Sequence, residues 1–283
     1  MALSGSSTAS GFSPSEMADK AILIAENKAK TSFGKLFLLA VLAGIYIAFG
    51  AVFSILSTTG MSGIWPYGFI RIIAGLTFCL GLILVVLSGA ELFTGNNLMV
   101  IAWLNKRISL GAMLRNWGIV YAGNFLGSLI VAALILASKT YTSANGELGK
   151  QMINLAQHKL SYSFSIALTL GILCNMLVCL AVWMTYSTPS TSGKILAVLF
   201  PITAFIAAGF EHSVANMYVV PVAILLKGVD TGFVSTLQMD TSLLTWANFL
   251  LRNLLPVTLG NILGGAGLIG TFYAIIYPQK KKN

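Results

Sequence analysis

Gly89-Ala90-Glu91-Leu92-Phe93-Thr94-Gly95-Asn96 and Gly209-Phe210-Glu211-His212-Ser213-Val214-Ala215-Asn216 are the two stretches on which the fold of this chain turns. Each carries a Gly-x-Glu element followed by an Asn, at a constant offset of 120, and each interrupts a hydrophobic run, Ile72 to Asn105 and Ile195 to Leu226. A helix crossing a bilayer needs ~20 mainly apolar residues at ~1.5 Å rise each. Both runs exceed 30 residues, so the spacing predicts a break near each Gly-x-Glu. Backbone freed at membrane depth is tolerated only inside protein or beside a water-filled cavity. The breaks are therefore expected to point inward, with half-helix N-termini and their partial positive charge near the midplane.

A second matched pair supports the first. Gly123-Asn124-Phe125-Leu126-Gly127 and Gly260-Asn261-Ile262-Leu263-Gly264 repeat at an offset of 137. Uncharged runs from Leu36 to Ile70, Trp117 to Ser138, Leu160 to Gly193 and Asn253 to Gln279 supply four further spans, which makes six. Two halves of three spans each must enter the membrane from opposite sides, because three is odd. The sequence thus predicts an all-α integral membrane protein of two inverted three-helix repeats, with the second and fifth helices broken.

Composition agrees: 57% of the 283 residues are hydrophobic and 9% charged, a balance foreign to ordinary soluble domains. The runs lack strand alternation, so the spans read as helices rather than barrel strands. The net charge of +9 does not point to nucleic acid, because the basic residues are scattered through short loops and tails. With the N-terminus inside, eleven of the seventeen are cytoplasmic; the other six are Arg71, Lys139, Lys150, Lys159, Lys227 and Arg252. Both termini are accordingly expected in the cytoplasm. No charged n-region and apolar core mark a cleaved signal peptide. Ser13-Pro14-Ser15-Glu16 instead predicts a capped amphipathic helix to about Lys30, either an interfacial anchor or a lid. Cys79, Cys174 and Cys179 lie within spans without metal-ligand spacing and read as small buried hydrophobes.

Glu91 and Glu211 are the acids within the spans, and their symmetry argues for a shared structural job: accepting hydrogen bonds from N–H groups freed at the breaks. His212 breaks the symmetry, since Leu92 holds the equivalent place. Its imidazole could donate to an anion or exchange a proton with it, or be a neutral, satisfied core group. Thr94 offers a hydroxyl opposite His212 if the breaks face each other. Leu92, Phe93, Phe78, Leu82 and Phe205 are candidates to narrow a path above and below, or simply to pack. Asn175 is a buried amide that needs partners. Lys159 and Arg252 could draw anions to a mouth, or snorkel. His158, beside Lys159 in a polar loop, is expected to be exposed. Glu211 and His212 could in principle serve an enzyme as an acid–base pair, but no nucleophile motif, metal-ligand cluster or nucleotide loop accompanies them, so no enzyme and no cofactor are expected. The paired Asn-Pro-Ala signature of water channels is absent, and a bare scaffold gives no reason for polar groups at two breaks.

The GAELFT stretch from Gly89, ILCNMLVCLAVWM from Ile172, GFEHSVANM from Gly209 and PVTLGNILGG from Pro256 together resemble the formate/nitrite transporter family, with its bacterial formate channels the nearest part, over about Lys28 to the final span. The resemblance implies an aquaporin-like fold assembled as a homopentamer with one pore per subunit, in the bacterial cytoplasmic (inner) membrane. It places His212 and Thr94 at a central site, Phe78 and Phe205 at constrictions, Leu82 at a cytoplasmic slit, and Leu92 and Phe93 in the loop of the broken second helix. Asn175, Lys159, Glu211 and Asn261 match polar positions of the family. The expected permeant is formate, moving with pH dependence and a proton; nitrite, hydrosulfide or another small monocarboxylate is the alternative. Membrane lipid surrounds the whole. The expected division is a tail and amphipathic helix over 1–30, a channel domain over 31–278 and a basic cytoplasmic tail over 279–283.

Overall fold

The computed structural model describes residues 11–278. The segments 1–10 and 279–283, expected as tails, lie outside the described residues. Ser13 opens α1 (Pro14–Lys30): its Oγ accepts from the Glu16 N–H at 3.4 Å while the Glu16 carboxylate accepts from the Ser13 N–H at 2.7 Å. The capping box read from sequence therefore forms. Hydrogen bonds from the Ser13 hydroxyl and N–H also hold the Glu16 carboxyl below its ordinary range. One face of α1 buries Met17, Ala18, Ala21, Ile22 and Ala25.

Then follow α2 (Phe33–Thr58) and α3 (Tyr67–Ser88). After a turn at Gly89 the chain restarts as a short α4 (Phe93–Asn96), a 3-10 turn (Asn97–Met99) and α5 (Val100–Leu104). α6 (Leu110–Ala137) leads to α7 (Glu147–Leu160) and α8 (Phe164–Thr185). α9 (Thr191–Ala207) and α10 (Ser213–Val229), 17 residues each, flank the second turn at Gly209. A short α11 (Thr231–Thr236) precedes the final helix, Trp246–Ile276. α2, α3, α6, α8 and the final helix are each long and apolar enough to cross a membrane. In hydrocarbon a helix satisfies its own backbone, so Leu, Ile, Val and Ala runs become helices here despite their β-branched content.

Close helix packing depends on glycine, as is usual where lipid supplies no hydrophobic drive between helices. α2 packs along α6 and α8 along the final helix. A methyl added at Gly44 or Gly127 would strike the carbonyl of Asn124 or Val41, and one at Gly260 or Gly264 would strike that of Leu168 or Ile172.

Two elements differ from the sequence reading. Lys159 and His158 stand on the last turn of α7, an amphipathic helix burying Leu148, Met152, Ile153, Ala156 and Leu160, and not in a loop. Its 14 residues are too polar for a search keyed to uncharged runs. The final helix begins at Trp246 rather than near Asn253, with exposed Arg252 inside it; one long cation reaching polar surroundings does not end a helix. That helix also carries π-helical stretches over Phe249–Leu254 and Leu263–Gly270, which re-aim the side chains that follow them. Cys79, Cys174 and Cys179 are buried and free.

Candidate functional site

Both turns are built alike. Gly89 at φ +72° and Gly209 at φ +79° take the left-handed conformation that glycine adopts without penalty. The N–H one residue further on then reaches back to the helix, from Ala90 to the Val85 carbonyl and from Phe210 to the Phe205 carbonyl, both at 3.0 Å. This is the usual glycine stop of a helix C-terminus.

The chain beyond each glycine is stitched to its neighbours by one asparagine. Asn124 Oδ1 accepts from the Phe93 N–H at 2.9 Å, and its Nδ2 donates to the carbonyls of Glu91 at 2.9 Å and Ala40 at 2.8 Å. Asn261 Oδ1 accepts from the Ser213 N–H at 2.9 Å, and its Nδ2 donates to the carbonyls of Glu211 at 3.0 Å and Gly171 at 2.8 Å. The glutamate N–H groups go to Leu39 and Leu170 carbonyls. The expectation that Glu91 and Glu211 take up the freed N–H groups is thereby corrected. An amide both donates and accepts, so one Asn satisfies both kinds of backbone group, which a carboxylate cannot.

The two carboxylates instead anchor a ring of side chains. Glu91 accepts from Lys28 at 3.0 Å and Asn96 at 2.7 Å, and Asn96 donates to Asn116 at 2.8 Å. Glu211 accepts from Lys159 at 2.7 Å, Asn216 at 2.7 Å and Asn253 at 3.1 Å, and Asn216 donates to Asn253 at 2.8 Å. Lys159 therefore neither snorkels nor stands ready as a bare charge. Lys28, Asn116 and Asn253 escaped the sequence reading as site residues. Asn116 and Asn253 stand at the same offset of 137 as the Gly-Asn pair, so extending that comparison along the run would have found them.

Between the turns, Thr94 Oγ1 lies 2.9 Å from His212 Nε2, with both residues buried. His212 Nδ1 accepts from the Ala215 N–H at 3.0 Å, as the cap of α10. An acceptor nitrogen carries no proton, so the proton sits on Nε2 and points at Thr94. Asn175 Nδ2 donates to the Thr94 carbonyl at 3.3 Å and the Asn261 carbonyl at 2.7 Å, tying Thr94 to the second half.

Apolar groups close over this pair. Phe205 packs 5.8 Å from the His212 ring and 5.7 Å from Phe78. Phe78, Leu82, Leu92, Phe205 and His212 line a cavity of about 10 Å³, room for about one water. A larger cavity of about 220 Å³ lies beyond, walled by α1 through Ala21, Ile24, Ala25 and Lys28; Leu82 and Leu92 border both spaces. Phe93 is set apart from the other apolar candidates: its ring turns to Tyr121 at 4.9 Å and Trp117 at 6.0 Å. His158 is exposed and meets the Tyr162 hydroxyl at 2.9 Å. Arg252 is exposed on the final helix, away from these contacts. Among the described residues no cluster of His, Cys, Asp and Glu could hold a metal ion.

Apolar helices broken at two stitched turns, with one buried polar pair walled by leucine and phenylalanine, define a multi-pass membrane protein built around a narrow polar centre. The formate/nitrite transporter model matches residues 15–275, and the chain belongs to that family. It is 42% identical over 250 residues to the formate channel FocA of Escherichia coli (strain K12), covering 87% of each chain. It is 41% identical over 265 residues to the formate channel FocA of Haemophilus influenzae, covering 92% of this chain and 93% of that one. Among solved structures it superposes on a pentameric formate channel with formate bound at a TM-score of 0.81 and 42% identity, covering 87% of this chain and 98% of that chain.

Proposed function

We propose that this chain forms a pore for formate, with Thr94 and His212 as its resting place. The observation that carries this reading is the Thr94–His212 hydrogen bond, a hydroxyl and an N–H donor set face to face between two helix breaks and walled by Phe78, Leu82, Leu92 and Phe205. A small carboxylate replacing that bond finds a donor on each side. The names of the similar proteins, formate channels, support the same permeant. Asn175, Lys159, Glu211 and Asn261 hold the frame, and Phe93 anchors α4 rather than narrowing the path.

The matched turns support an inverted repeat of two three-span halves in an aquaporin-like arrangement, with α9 and α10 together forming the fifth span. A homopentamer in the bacterial inner membrane, with both termini in the cytoplasm, fits the likeness to a pentameric channel and the distribution of Lys and Arg.

A bare anion crossing the apolar walls meets a severe desolvation cost, which formic acid avoids. His212 is the group placed to exchange that proton. A second proton on Nδ1 would set two donors against each other at Ala215, so loading His212 is coupled to loosening the cap of α10. Uptake of labelled formate by vesicles holding the pure protein tests both parts. Thr94→Val should cut flux about tenfold, a loss of ~1.4 kcal/mol of binding or barrier. His212→Asn, which keeps a donor and a cap acceptor but does not titrate, should retain flux and flatten its pH profile. An unchanged profile removes the proton role, and full flux in Thr94→Val removes the central site. Competition by nitrite, hydrosulfide and longer monocarboxylates on the same vesicles decides among permeants.

A further inference from the structure

The two turns differ in what covers the helix end just before them. A helix C-terminus leaves carbonyls without intrahelical partners and carries partial negative charge. Beside Gly89 a Cβ would meet nothing within 4 Å, and the end of α3 borders the 220 Å³ cavity. Beside Gly209 a Cβ would come 3.3 Å from Arg71 Nη2. Arg71, on the first turns of α3, donates through Nε to the Ala207 carbonyl at 3.0 Å and through Nη2 to the Ile206 carbonyl, the last two residues of α9. Its guanidinium also lies 6.0 Å from the Tyr67 ring, and the residue is partly buried.

The same guanidinium is felt at Tyr162, three residues beyond Lys159. Burial pushes the Tyr162 phenol up, Glu211 adds to the rise, and Arg71 opposes it. The Lys159 ammonium, 13% exposed, is paired with Glu211 at 2.7 Å. Among the described residues Arg71 meets carbonyls and no carboxylate, so its charge is not cancelled as that of Lys159 is.

We infer that Arg71 is a positioning residue of this mouth: by capping the Ile206 and Ala207 carbonyls it fixes the end of α9 beside Gly209 and masks the negative helix end that an arriving anion would otherwise face. Arg supplies a planar fork with several donors, so two carbonyls can be held at once. At the first turn the end of α3 has no such cap and borders the larger cavity, whose wall includes the Lys28–Glu91 pair. This rests on the transport reading above.

The test is formate uptake by vesicles at varied formate and salt concentrations. Arg71→Gln should raise the half-saturating formate concentration roughly fivefold with the maximal rate within about twofold, because a charge at a mouth acts on arrival. At about 1 M salt, where the screening length is about 3 Å, variant and unaltered protein should converge. Arg71→Lys, which keeps the charge but holds one carbonyl rather than two, should keep the salt dependence of the unaltered protein, with the half-saturating concentration raised no more than about twofold. It carries the test alone should Arg71→Gln fail to assemble. A loss confined to maximal rate, or a deficit beyond about twofold in either variant that ignores salt, overturns the proposal in favour of a merely structural cap. Absence of uptake by the unaltered protein overturns the transport reading itself, and this inference with it.

Discussion

The turn at Gly89 and the turn at Gly209 share a skeleton and differ in the groups hung on it. Each has a left-handed glycine, a backward hydrogen bond to the preceding helix, an Asn that stitches the loop and a Glu bound to a Lys and an Asn. Yet the cap of the restarting helix is Leu92 at one turn and His212 at the other, and Thr94 finds Val214 in its equivalent place. A repeated frame places two helix starts accurately, while divergence of a few residues converts one shared position into a donor pair. The symmetric features should therefore govern stability in both halves alike, and the asymmetric ones should govern transport.

The sharpest way to break that comparison is to cut both stitches. Asn124 and Asn261 are each fully buried and each bond three backbone groups. Alanine at either position strands those groups, at ~1–3 kcal/mol apiece, so several kcal/mol in total. Thermal unfolding in detergent should show both variants strongly destabilised and within about 1 kcal/mol of each other. A tolerated Asn124→Ala beside a collapsed Asn261→Ala would mean that the frame is not shared.

A smaller, deliberately unequal effect is expected from the two ion pairs. The Lys159–Glu211 side chains are 13% and 2% exposed, whereas the Lys28–Glu91 pair, at 22% and 10%, opens on the larger cavity. Removing one partner of a buried pair leaves a stranded charge and costs ~3–5 kcal/mol, and access to the larger cavity lowers that cost for the less buried pair. Lys159→Met should thus lower the unfolding temperature far more than Lys28→Met. Equal losses would place the Lys28–Glu91 pair in surroundings as dry as those of Lys159–Glu211.

Much of this frame was legible in the sequence because it is periodic or repeated. Hydrophobic runs gave the long helices, excess length gave the two breaks, and the offsets of 120 and 137 gave Glu91 with Glu211 and Asn124 with Asn261. The approach of Thr94 to His212 follows if the two breaks face each other. What stayed hidden depended on distant chain crossings. Nothing local to Lys28 distinguishes it from a topology signal; only the return of α1 to the first turn brings it to Glu91. Phe93 looks like its neighbour Leu92, but alternate side chains at a helix start point to opposite sides, and Phe93 falls toward α6. Arg71 reads as one more outer cation; only the fold brings the end of α9 beneath it.

The smallest expected effect concerns α1, which, like α7, precedes a long helix and carries in its last turn the lysine bound to a break glutamate. α1 is held by its Lys28 contacts, a Glu26–Arg107 ion pair at 2.7 Å, Lys20 donating to the Tyr186 carbonyl at 3.3 Å, and the Phe12 N–H bonding the Ser187 carbonyl at 2.7 Å. Arg107 is 46% exposed, so the ion pair contributes about 0.5 kcal/mol and weakens with salt. Glu26→Gln should leave the unfolding temperature nearly unchanged. If α1 serves as a lid over the 220 Å³ cavity, however, the lost contact shifts an open–closed balance by the same free energy, about twofold in population. Formate flux near the midpoint of the pH profile should then change by that factor, whereas flux at either extreme should not. Deleting the residues before Lys28 should abolish the pH-dependent closure outright, and a deletion that leaves the profile intact would reduce α1 to an anchor, the passive counterpart of α7.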